Sequence, residues 1–187
     1  MNIILLGPPG SGKGTQGELL AQRTGILRVS TGDLLREAVA RGTDLGKRAK
    51  VFMDQGLLVP DDVIIGLLGE VLASPGAAGG VIMDGFPRTV AQAEAVDRLL
   101  AARGRQVDRV LYFVVADDEL LRRIEGRAGV EGRADDNPDA FRQRLVVYRK
   151  QTQPLVDFYR QRGGLTDIDA VGAVQEIAAR VRAGVGE

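Results

Sequence analysis

Five stretches of the chain are apolar runs too short for helices, and the longer stretches between them carry helical spacing. Asn2-Ile3-Ile4-Leu5-Leu6 ends at a glycine and does not alternate with polar residues. Such a run predicts a strand buried on both faces. Leu27-Arg28-Val29-Ser30, Val81-Ile82-Met83 and Leu165-Thr166-Asp167-Ile168 predict three more, and the β-branched run from Arg109 to Val115 predicts a central one. Glu18-Leu19-Leu20-Ala21 lies in a helical stretch after the first strand. Thr31 to Val59 has no strand signal and predicts two or three short helices. Pro60-Asp61-Asp62 opens the next helix, because proline suits a first turn and acids suit its dipole. Val63, Ile64, Leu67, Leu68, Val71 and Leu72 keep helical spacing until Pro75-Gly76. Helices are also expected over residues 89–103 and 117–126, followed by a polar loop at 127–136. Asn137-Pro138 caps a long helix with Phe141, Leu145, Tyr148, Thr152, Leu155 and Tyr159 on one face, and Pro154 predicts a kink in it. Val174, Ile177, Ala178 and Val181 mark a closing helix. Strands alternate with helices and no hairpin signal occurs. That predicts an α/β fold with a five-stranded parallel sheet and helices on both faces.

The chemistry begins where the first strand stops. Gly7-Pro8-Pro9-Gly10-Ser11-Gly12-Lys13 stands between that strand and a helix. Glycines let the backbone curl with its N–H groups inward, and the helix N-terminus adds to the anion site. Lys13 supplies a point charge that can follow a moving phosphoryl group. The next residue is Gly14, where phosphate loops of this pattern carry a Ser or Thr that ligates magnesium; the hydroxyl comes one later, at Thr15. Asp84-Gly85-Phe86-Pro87-Arg88 and Asp117 also follow strands. In a parallel sheet these stretches share the carboxyl edge, where ligands bind.

Composition narrows the chemistry. The chain has 187 residues with 44% hydrophobic and 27% charged positions, ordinary for one globular domain. Formal net charge is zero, which argues against a general nucleic-acid or membrane-surface binder. No apolar run approaches a membrane span, and Met1 leads straight into the first strand without a signal peptide. Cysteine is absent, which excludes disulfides and thiolate zinc sites, and histidine is absent, which excludes an imidazole base. These features predict a cytoplasmic protein. Basic residues are mostly arginine, the side chain that forks onto phosphates.

Four ordered stretches then carry a resemblance: Gly7 to Thr15, Ser30 to Arg36, Asp84 to Arg88 with Gln92, and Arg127 to Asn137. Over nearly its whole length the chain resembles adenylate kinases of the short-lid type. The resemblance implies a P-loop three-layer fold with a core (1–29, 60–126, 137–187), a small helical NMP-binding insertion (30–59) and a short lid (127–136). It implies reversible transfer, ATP + AMP ⇌ 2 ADP, with magnesium and without zinc, by a monomer. By resemblance Gly10, Ser11, Gly12, Lys13, Gly14 and Thr15 hold the ATP phosphates, and Arg123 lies under the ATP adenine. Arg36 and Arg88 hold the AMP phosphate, while Arg127, Arg133 and Arg144 converge on the transferring group. Thr31, Val59, Gly85 and Gln92 surround AMP, with Leu35 and Met53 completing an apolar slot. Asp84 organises magnesium through water, and Asp135 and Asp136 match lid carboxylates. UMP/CMP kinases share the short lid and form the close alternative, although they tend to carry Ala and Asn at positions 31 and 92. A nucleotide-dependent switch is the alternative of another class.

Overall fold

The computed structural model describes the backbone of residues 1–128 and 138–187, and the side chains of 1–123 and 140–187. Five parallel strands run in the order β2-β3-β1-β4-β5: β1 Asn2–Leu6, β2 Leu27–Ser30, β3 Val81–Asp84, β4 Arg109–Val114 and β5 Leu165–Asp169. All five lie within a residue of the apolar runs that predict them. Alternation of side chains across a strand divides the core into two layers. Ile4, Leu6, Val81 and Met83 face one side, where they meet the helices α4 Asp61–Ala73 and α5 Val90–Ala101. Ile3, Leu5, Ile82 and Leu111 face the other, against α1 Lys13–Thr24 and the last helix, Val174–Val185. Ile3 and Ile4 are both 0% exposed, and each contributes about 1.5–3 kcal/mol by leaving water.

The stretch after β2 folds as two helices, α2 Thr31–Ala40 and α3 Asp44–Asp54. Ser30 caps the first, accepting from Asp33 N–H at 3.2 Å, and Thr43 caps the second, accepting from Gly46 N–H at 3.0 Å. Gly46 lets the two helices touch, since a Cβ there would fall 2.1 Å from Ala38 O. After β4, α6 spans Asp117–Ala128, two residues past its predicted end. The predicted lid otherwise lies outside the described residues, as does Asn137.

The long C-terminal helix is not simply kinked. It comprises α7 Pro138–Val147, a π-helical turn at Tyr148–Thr152, and α8 Pro154–Gln161, with the closing helix as α9. Pro154 has no N–H to donate, and its ring would press on the carbonyl a turn earlier. The chain widens instead, and Gln153 N–H reaches Tyr148 O at 2.8 Å. Tyr148, Thr152, Leu155 and Tyr159 remain buried across the widened turn, whereas Leu145 is only half-buried.

Candidate active site

β1 is flanked by β3 on one side and β4 on the other, so chain connections diverge around its carboxyl end. Open parallel sheets bind ligands at that switch point. A cleft of about 700 Å³ opens there, and every predicted site residue that the structure describes lines it, except Ser11. Ser11 is 1% exposed and packs beneath the loop.

The phosphate loop follows β1. Gly10 and Gly12 take φ of +83° and +90°, in the left-handed region that side chains disfavour. Gly12 ends the loop and α1 begins at once. Lys13 Nζ folds back, donating to Gly7 O at 2.7 Å, Pro8 O at 2.8 Å and Ser11 Oγ at 3.3 Å. Arg123 of α6 clamps the same loop from outside. Its guanidinium donates to Glu119 Oε1 at 2.7 Å, Ala170 O at 2.7 Å and Ser11 O at 3.5 Å.

Asp84 ends β3 beside the loop and is 8% exposed. Its Oδ2 accepts from Arg28 Nη2 at 2.7 Å. A Cβ added to Gly14 would lie 3.4 Å from Arg28 Nη2 and 3.6 Å from Asp84 Oδ2. The ion pair thus lies within van der Waals reach of position 14. Arg28 Nη1 also contacts Asp33 Oδ2 at 3.3 Å, and Asp33 in turn pairs with Arg36. Asp33 is held below its ordinary carboxylate pKa: burial opposes the shift, while hydrogen bonds from Arg36 and Ser30 and the charges of Arg36 and Arg28 outweigh it. Among the described residues no group of three metal-ligating side chains occurs. One carboxylate does not cage a metal, but it fits magnesium that keeps most of its waters and arrives with phosphates.

The turn after β3 supplies the opposite wall. Gly85 has φ +78°, and the Phe86-Pro87 peptide is cis. Gly85 O accepts from Arg88 Nε at 2.7 Å and from Thr31 Oγ1 at 3.0 Å. Gln92, 2% exposed, accepts from Arg88 N–H at 2.7 Å and donates to Asp61 Oδ1 at 2.6 Å. Thr89 caps α5, so Gln92 enters on its first turn. Removal of the Arg88 guanidinium from water pulls its pKa below the ordinary arginine value; Asp84 opposes this, and the like charges of Arg144 and Arg36 add to it. Three cations gathered at one wall of the cleft are arranged for a polyanion. Leu35, Met53 and Val59 line the same cleft.

The Arg127 side chain, Arg133, Asp135 and Asp136 lie outside the described residues. Arg28, in the cleft, and Asp61, outside its lining, escaped sequence reasoning. Arg28 sits in a strand, where nothing local marks it as the partner of Asp84. Asp61 reads as a helix-dipole acid, and only the packing of α4 on α5 brings it to Gln92. Asp33 lies inside one of the motif stretches and was legible there as part of a pattern.

The model of the adenylate kinase family matches residues 5–164. Proteins named adenylate kinase resemble the chain end to end. The one from Stenotrophomonas maltophilia is 53% identical over 185 residues, covering 99% of each chain. That of Thermus thermophilus is 52% identical, covering 98% of this chain and 96% of its own. That of Thermobifida fusca is 49% identical, covering 96% and 95%. With the family model covering most of the chain and these relatives about half identical from end to end, the chain belongs to the adenylate kinase family of phosphotransferases.

Proposed function

We propose that the protein catalyses ATP + AMP ⇌ 2 ADP, with magnesium carried in on the phosphates of ATP. The observation that supports this most is the cleft itself. A phosphate loop with Lys13 faces Arg36, Arg88 and Arg144 across one cavity, with a buried amide, Gln92, beside the arginines. One anion site would serve a hydrolase or a switch; two facing each other serve transfer between two nucleotides.

The chemistry needs no base. An oxygen of the AMP phosphate is already ionised and attacks the γ-phosphorus of ATP. The bond to the β,γ-bridging oxygen breaks, and that oxygen leaves on ADP with its negative charge. Catalysis is then positioning and charge stabilisation. In this reading the loop amides, Gly10, Ser11, Gly12, Gly14 and Thr15 hold the donor phosphates. Lys13 leaves the loop carbonyls to follow the transferring group. Arg123, clamped between the loop and Ala170 O, forms the floor under the donor base. Arg36 and Arg88 hold the acceptor phosphate, and Arg127, Arg133 and Arg144 meet the group in flight. Thr31, Val59, Gly85 and Gln92 enclose the acceptor base, and Asp84 orders the water around magnesium. Residues 30–59 act as the acceptor-binding insertion and 127–136 as a lid. The protein works as a monomer in the cytoplasm; among the described residues no helix is long and apolar enough to cross a membrane.

The deciding measurement is turnover with ATP alone and with ATP plus AMP. ADP should accumulate rapidly only when both are present. Equal consumption of ATP in the two mixtures would overturn transfer in favour of hydrolysis.

A further inference from the structure

The amide of Gln92 is held at both ends by groups that cannot exchange roles. The Arg88 N–H donates to Oε1 at 2.7 Å, and Nε2 donates to Asp61 Oδ1 at 2.6 Å. A peptide N–H only donates, and a carboxylate only accepts. Turning the amide over would set N–H against N–H and oxygen against a negative charge. Each amide atom keeps capacity for one more bond, one lone pair on Oε1 and one hydrogen on Nε2.

We propose that Asp61 is a positioning residue that locks the Gln92 amide in the sense that reads an aminopurine and rejects a 6-oxopurine. This rests on the reading above, in which Gln92 faces the acceptor base. Adenine presents a ring-nitrogen acceptor beside an amino donor. The held amide matches it, with Nε2 donating to the ring nitrogen and Oε1 accepting from the amino group. Hypoxanthine presents the reverse, a ring N–H beside a carbonyl oxygen, and only a turned amide could pair with it. Asp61 makes that turn costly, because it would bring Oε1 against the carboxylate. Specificity here comes from repulsion of the wrong state as much as from attraction of the right one. Asp61 opens α4 and Gln92 lies in the first turn of α5, so the lock is a contact between two helices.

The test compares AMP and inosine monophosphate as acceptors at saturating ATP, in the wild type, Asp61→Asn, Asp61→Glu and Gln92→Ala. Asparagine keeps the size of Asp61 but can either donate or accept, so it tolerates both senses at its end and leaves Arg88 N–H alone to oppose the turn. The AMP-to-IMP ratio of kcat/KM should fall about tenfold in Asp61→Asn, as a charge-assisted bond becomes a neutral one. KM for ATP should not move. Asp61→Glu, still an acceptor only, should keep the wild-type ratio. Asp61→Ser, whose hydroxyl works both ways, is a fourth variant and carries the same expectation as Asn. A purely structural role would lower both rates together and leave the ratio where it was, which overturns the lock. The two levels separate through Gln92→Ala. If it raises KM for AMP while Asp61→Asn leaves the ratio unchanged, the lock alone is wrong. If it leaves KM for AMP unaltered, Gln92 does not read the base and the lock falls with that reading.

Discussion

Single residues in this cleft owe their meaning to partners distant in the chain. Lys13 is legible from the glycines around it, yet its ammonium rests on Gly7 O and Pro8 O rather than projecting outward. Those bonds are local to the loop, so their loss leaves the sheet and both core layers intact. Lys13→Met should therefore cut turnover by roughly two to three orders of magnitude, the scale of losing one transition-state charge. Its melting temperature should stay near that of the wild type. A variant with near-normal turnover would refute the role. Gly14 is the opposite case. Sequence reasoning sees a missing hydroxyl, whereas the fold sets the Arg28–Asp84 ion pair beside that position, within van der Waals reach of a Cβ there.

Among the elements, three helix starts carry a capping hydroxyl, whose target N–H is three residues on and needs no tertiary partner. Ser30, Thr43 and Thr89 all act this way. Contacts between helices were not legible. Within α3, Gly46 looks like a weakness, since alanine favours a helix by about 0.8–1 kcal/mol. The structure reverses that expectation: a Cβ at this position meets backbone, 2.1 Å from Ala38 O and 2.3 Å from its carbonyl carbon. α2 and α3 would have to part. Gly46→Ala should thus destabilise the protein by about 1–3 kcal/mol, as overpacking does elsewhere. Thermal denaturation should register the loss, and a raised melting temperature would show that propensity rather than packing governs this site. The π turn before Pro154 belongs to the same scale: the proline announces a disturbance, but the core decides that it is absorbed by widening.

Taken whole, the molecule mounts the two sides of the cleft on different supports. The phosphate loop and Asp84 are fixed to the sheet, while Thr31 and Arg36 ride on α2, which packs on α3. A charge chain from Asp84 through Arg28 and Asp33 to Arg36 joins the two. Filling the cleft should draw α2 and α3 toward the sheet, aligning the nucleotides and excluding water as an acceptor. A linked bisubstrate analogue should accordingly slow amide exchange over residues 31–59 as well as in the phosphate loop. Protection confined to the loop would count against closure. Ion pairs on the outer surface, such as Lys47 with Asp44 and Arg41 with Glu37, are well exposed and contribute little.

The sequence by itself determined the strands, the limits of α5 and α6 to within two residues, the phosphate loop and the motif that ends β3. Each is written in neighbouring residues: an apolar run, a cap, a glycine where φ must be positive. It also determined the family, because four such stretches occur in order. Tertiary structure decided the strand order, the burial of Ser11, the Arg28–Asp84 pair over Gly14, the Gly46 crossing and the grip of Asp61 on Gln92. These depend on which elements become neighbours. A carboxylate at the start of α4 looks the same in sequence whether or not it also reaches a buried amide 31 residues on. Only packing distinguishes the two, by setting α4 against α5 so that the exposed Asp61 comes within 2.6 Å of the Gln92 amide.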